Sequence, residues 1–244
     1  MTVETPAPFA LTVTGTLPAW LGGTLLRTGP AKFEVGARTY NHWFDGLAML
    51  HRFAIANGGV TYAGRFLQSK AFRAAEETGK ICYREFATDP CRTLFERVAA
   101  VFEPKLTDNC NVNVSGYAAE TVAFTETLMP MRFSPDTLET LGVFAYGEAL
   151  TGQISTAHPH YDAKRACHYN YIADFGRRSL YRICRIGDNG SRQQIAEIAV
   201  ARPAYMNSFG MSEDHLILTE FPLVVNPIDL RLSGKPFIQN YRWE

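Results

Sequence analysis

The 244-residue sequence has no Cys-x-x-Cys pair, no run of basic residues and no excess of charge of either sign. The first absence argues against a structural zinc site, which draws its thiolates from closely spaced pairs. The five cysteines (Cys82, Cys91, Cys110, Cys167 and Cys184) are odd in number and widely spaced. They read as free thiols in a reducing, cytoplasmic setting. A formal net charge of +0 argues against nucleic acid as a partner. Met1 to Ala10 carries no basic segment and no long apolar core, so no secretory signal is evident. No apolar stretch approaches the ~20 residues of a membrane-spanning helix. No strict repeat is visible either, so periodicity alone does not select a propeller among all-β folds.

What is present leans towards strand. Hydrophobic residues make up 46% and aromatic residues 12%, the latter dominated by 16 Phe and 11 Tyr. Met49 to Ile55 and Val60 to Leu67 alternate on either side of Asn57-Gly58-Gly59, which predicts a β-hairpin. Leu17 to Gly23 reads as a turn that docks two large side chains. Thr24 to Pro30 reads as a short strand closed by Gly-Pro, and Asn41 to Gly46 as a tight Asp-Gly turn. Further strands are expected over 121–125, 152–156, 168–173, 179–186, 194–200 and 215–220. Turns at Ser134-Pro135-Asp136 and at Gly187 to Gly190 lie between them. One helix is expected after Asp89-Pro90, with Leu94, Val98, Val101 and Phe102 on one face. Many short strands with hairpin turns indicate a sandwich, barrel or propeller. No linker splits the chain, so 1–244 is expected to form a single domain. Ile238 to Glu244 reads as the interior of a structured region, which leads us to expect a fragment or a truncated product.

The stretch Ser155 to Asp162 concentrates chemistry. His158 and His160 are spaced i, i+2, which on an extended segment puts both imidazoles on one face. Such a pair either ligates a metal or supplies two hydrogen-bonded structural residues beside a proline turn.

Several stretches together resemble the carotenoid cleavage oxygenase family. The similarity is strongest to its branch of β-carotene oxygenases and the retinoid isomerohydrolase, with their bacterial relatives. The matching text is Leu17 to Pro30, His42 to His51, Phe66 to Ala71, Thr107 to Val114, Thr125-Glu126-Thr127, Thr156 to His160 and Ser208 to Glu213. The resemblance implies a β-propeller of about seven blades, with this sequence covering roughly the first half and adding a short helical insertion. It implies a non-haem Fe(II) on the propeller axis held by four histidines, two of them from this half. His158 matches the first. The second falls at Asn207, where this sequence departs from the pattern. A carboxamide oxygen is a much weaker donor for Fe(II) than imidazole. His215 lies eight residues on, past a turn, and out of reach of the same point. Three readings of Asn207 stand open: an inactivating change, natural or engineered; weak iron binding with reduced activity; or a misplaced match.

Glu126 matches the glutamate that accepts a hydrogen bond from an iron-bound imidazole, a contact that fixes the ring's orientation. Read without the family, it is an ordinary strand glutamate. His160 is a neighbour of the ligand, and His42 and His51 are structural. The block Asn109 to Asn113 is suited to satisfying buried backbone. The implied activity is dioxygenase cleavage of a carotenoid or apocarotenoid double bond to aldehydes. Stilbene cleavage, retinoid isomerohydrolysis and inactive polyene binding remain alternatives on the same scaffold. Its partners would be O2 and an apolar polyene in an aromatic tunnel. The face of Leu94, Phe95, Val98 and Phe102 is a candidate for peripheral membrane contact or for packing against the propeller.

Overall fold

The computed structural model describes residues 3–90, 106–117, 119–147, 150–176 and 178–244. The helix expected after Asp89-Pro90, its membrane-facing reading and Cys91 lie outside the described residues.

The architecture is a succession of antiparallel sheets. The first contains β1 (Thr5–Leu11), β2 (Gly23–Lys32), β5 (Leu47–Ala56) and β6 (Gly59–Phe66) in the order β1-β6-β5-β2. A small hairpin of β3 (Glu34–Val35) and β4 (Arg38–Thr39) follows β2. The second sheet is β10 (Thr140–Val143), β9 (Met131–Phe133), β8 (Glu120–Phe124) and β7 (Asn113–Tyr117), in that order. The third is β11 (Ile154–Ser155), β13 (Cys167–Asp174), β14 (Ser179–Ile186) and β15 (Arg192–Val200), with β12 (His160–Asp162) also paired to β13. Two further pairs, β16 (Gly210–Met211) with β17 (Leu216–Ile217) and β18 (Leu223–Val225) with β19 (Tyr241–Trp243), complete the strands among the described residues. Among the described residues two short helices, α1 (Lys70–Thr78) and α2 (Pro227–Leu232), interrupt them.

The sheets stack face to face, because each is apolar on both faces. Leu50 and Ala63 of the first sheet bury against Ala123, Met131 and Phe133 of the second. Val122 and Phe124 of the second meet Ile172, Cys184 and Ile186 of the third. Tyr171, Tyr181 and Ile183 of the third meet Ala204, Met206 and Phe209. The outer face of the first sheet takes α1 through Met49, Phe66, Phe72 and Ala75. Each fully buried side chain of this size contributes ~2 kcal/mol of transfer free energy. A row of sheets, each a small antiparallel unit buried between its neighbours, is the blade arrangement of a propeller.

The hairpin is as expected. Asn57 and Gly58 sit at φ 51° and 73° between the paired Ala56 and Gly59, as a two-residue turn that matches strand twist requires. Other expectations need correction. β2 runs on past Gly29-Pro30 to Lys32, with a register shift at Pro30. A sheet edge tolerates the missing N–H, and β2 is an edge strand. Residues 43–45 form a single 3-10 turn in place of a tight Asp-Gly turn, with His42 Nδ1 accepting from Phe44 N–H at 3.1 Å. The 17–23 turn closes from Leu21 N–H to Pro18 C=O at 3.0 Å, holds Trp20 at its apex and leaves it 82% exposed, so that side chain does not dock. The 215–220 strand is only Leu216–Ile217.

Candidate functional site

Three segments that leave neighbouring strands converge. Beyond β8 comes Glu126, whose backbone C=O accepts from Ser155 N–H at 2.9 Å. Beyond β11 come Thr156, Ala157 and His158. The loop ahead of β16 brings Tyr205, Met206 and Asn207.

Hydrogen bonds fix this meeting. Buried Asn170 on β13 donates to Thr156 C=O at 3.0 Å, and Asn113 donates to Ala157 C=O at 3.0 Å. The Thr156 hydroxyl accepts from His158 N–H at 3.1 Å and donates to Asn207 C=O. Ala204 N–H donates to the Tyr181 hydroxyl at 2.7 Å, Tyr205 N–H to Leu223 C=O at 2.8 Å, and the Tyr171 hydroxyl to Met206 C=O. Segment 204–207 is therefore pinned at every residue.

The side chains meet in two pairs. Tyr205 O–H lies 2.8 and 3.0 Å from the two carboxyl oxygens of Glu126. Burial raises the Glu126 pKa to about 7, and the Tyr205 hydrogen bond opposes the rise. Burial, with Glu126 beside it, pushes the Tyr205 phenol well above its ordinary value. Half-buried His158 has the Asn207 side chain beside it as a hydrogen-bonding neighbour. Burial lowers the His158 pKa, the Asn207 bond opposes this, and the charge of His160 adds to the lowering.

His158 lies in the connection between β11 and β12, and only His160 is on a strand. The pair is therefore divided between a loop and a strand. The His160 ring meets Phe209 edge-on at 4.4 Å, with Nε2 buried and unbonded. His51 Nδ1 lies 2.8 Å from the Tyr62 hydroxyl, and His215 is exposed in a turn. Asn109 and Asn111 satisfy buried backbone, as expected: Asn109 Oδ1 accepts from Ala48 N–H at 2.8 Å, and both amides donate to Gly46 C=O. Beside them the Glu85 carboxyl, fully buried and bonded by the Thr107 hydroxyl at 2.7 Å, has its pKa raised by burial. Tyr205, the partner of Glu126, is the residue of this meeting point that sequence reasoning missed. Its position two before Asn207 was the only signal.

A cavity of about 1250 Å³ opens over the site, reached by Glu126, Tyr205 and Asn207. Trp43, Phe44, Phe86, Phe175 and Phe237 supply much of its wall. Phe86, Tyr205 and Phe237 form a continuous aromatic surface with centroids 5.8 to 6.4 Å apart.

The donor set can be tested against a resident iron. Among the described residues no three His, Cys, Asp or Glu side chains are placed so that they could hold a metal ion. His158 is joined by a carboxamide in place of a second imidazole, and Glu126 is engaged by a phenol. One imidazole and one amide do not fit a ferrous site.

Comparison with known proteins gives one picture. The family model described as "Retinal pigment epithelial membrane protein" matches residues 1–244. A mitochondrial carotenoid-cleaving dioxygenase of Pongo abelii is 37% identical, over 99% of this chain and 47% of the relative. A β,β-carotene 15,15'-dioxygenase of Rattus norvegicus is 34% identical, over 97% and 45%. A solved Synechocystis apocarotenoid oxygenase variant superposes with a TM-score of 0.83 at 21% identity, over 100% of this chain and 52% of that one. A cobalt-substituted form of the Synechocystis protein superposes at 0.81, also at 21% identity, over 99% and 52%. The chain spans about half the length of the curated relatives it matches.

Proposed function

The chain belongs to the retinal pigment epithelial membrane protein family of carotenoid oxygenases, and on that premise we propose that its cavity binds a carotenoid or apocarotenoid. The reaction class is oxidative cleavage of one polyene double bond to aldehydes. Iron, where the family's histidines hold it, supplies activation of dioxygen. The residues of this chain do other things: they enclose the polyene, exclude water from it and fix the segments around Glu126 and residue 207. No step through iron is derived, because the donors here do not fit it.

The observation that carries the reading is the aromatic wall of a cavity large enough for a long apolar chain and lined also by Glu126 and Asn207. The alternative of polyene binding without cleavage is favoured by Asn207 itself. A single domain over 1–244, dioxygen as a second partner and peripheral membrane contact belong to the same proposal. Among the described residues no helix is long and apolar enough to cross a membrane.

Fluorescence tests the cavity. Of the three tryptophans only Trp43 lines it, while Trp20 and Trp243 are exposed elsewhere. Titration with an all-trans polyene is expected to quench Trp43 emission saturably, and Trp43→Phe to remove that component. Quenching that survives Trp43→Phe unchanged counts against binding in this cavity.

A further inference from the structure

We infer that the meeting point of the three segments in this chain is closed by protein hydrogen bonds in place of a metal, and that Asn207 is the residue that makes it so. The inference rests on the family reading for the expectation that a metal belongs there. The structure supplies the disagreement.

Three independent contacts carry it. First, the side chain beside the His158 ring, where a second imidazole would stand, is the Asn207 carboxamide. A second imidazole at 207 would present a neutral nitrogen donor suited to iron, whereas the carboxamide presents an oxygen acceptor and an N–H donor. Second, the Thr156 hydroxyl bridges the two backbones, accepting from His158 N–H and donating to Asn207 C=O. A metal would otherwise tie those two segments together. Third, Glu126, expected to orient a metal-bound ring, receives the Tyr205 hydroxyl on both carboxyl oxygens. Each group that would face a metal or its ligands thus has a protein partner. The Glu126 carboxyl and the Thr156 hydroxyl are thus paired without a metal, and the segments stay in place without it.

Asn207 is exposed, so an imidazole fits in its place. Cobalt(II) chloride is titrated into the unmodified 244-residue chain, into Asn207→His and into His158→Ala, and followed by calorimetry and by the visible absorption of bound cobalt. The unmodified chain is expected to bind cobalt no more tightly than His158→Ala. Asn207→His is expected to bind at least tenfold more tightly, with a ligand-field band that His158→Ala abolishes when added to it. Unmodified chain binding tenfold more tightly than His158→Ala overturns the inference, as does a folded Asn207→His that gains nothing. A readout needs no metal: the His158 ring N–H is expected as a slowly exchanging proton resonance that Asn207→Ala removes. Its persistence in Asn207→Ala also overturns the inference. Polyene quenching of Trp43 in the same samples separates the two readings, since its loss counts against the cavity and leaves the metal result standing.

Discussion

At Glu126 burial and a phenol act in opposite directions, and burial wins: the carboxyl titrates at about 7 against an ordinary 4.5. A carboxyl raised in the folded state adds stability that is complete below pH ~4.5 and is lost as pH rises through about 7. A difference of this size corresponds to ~3 kcal/mol. Glu126→Gln, which stays neutral, is expected to lose about that much less than the unmodified chain between pH 4.5 and pH 8, measured by urea unfolding at both. Equal losses would show that the carboxyl is ionised and solvated. At this scale the sequence was partly legible. Glu126, His158 and Asn207 were nameable from the motifs around them, and the structure brings their segments together. What they bond to was not legible. Tyr205 and Thr156 act through contacts 79 and 51 residues away in sequence, and nothing local marks such contacts.

Among the elements, those set by local turn chemistry were readable and those set by packing were not. The β5–β6 hairpin follows from Asn57-Gly58. β14 was readable over its full length, Ser179–Ile186, from its alternation. β1 was not read, because Pro6 and Pro8 break a strand pattern, yet it survives at a sheet edge with a register shift between Thr5 and Phe9. α1 was missed although its signals are local: Ser69 accepts from Phe72 N–H, and Gly79 ends the helix at φ 62°. Nine residues give too short a periodic pattern to stand out from turns. Gly46, by contrast, has an ordinary φ of −58°, so its need for glycine comes from space. A Cβ there would lie 2.6 Å from the Phe33 ring and 2.9 Å from Pro30 Cβ. Gly46→Ala is expected to cost ~2 kcal/mol, read as a lower urea midpoint with an unchanged slope. A midpoint within error of the unmodified chain would show that the Phe33 ring gives way.

For the whole molecule, the all-β class was evident from strand spacing, whereas the stacking of sheets into blades followed only from the resemblance to carotenoid oxygenases, since no repeat records it. Stacking depends on both faces of β5, β8, β13 and β14 being apolar, a pattern that reads as core without saying against what. The β5–β6 turn has a consequence for how such a stack assembles. Its loop has only two residues, so joining these strands costs little chain entropy, and they can form within microseconds. β2 and β1 have to close longer loops to add to that pair, and the other sheets longer ones still. The hairpin is then a nucleus, and Gly58→Ala, strained at φ 73°, should slow refolding while leaving the rate of unfolding nearly unaltered in stopped-flow traces. If unfolding accelerates instead, the first sheet is built late and another part of the chain folds first.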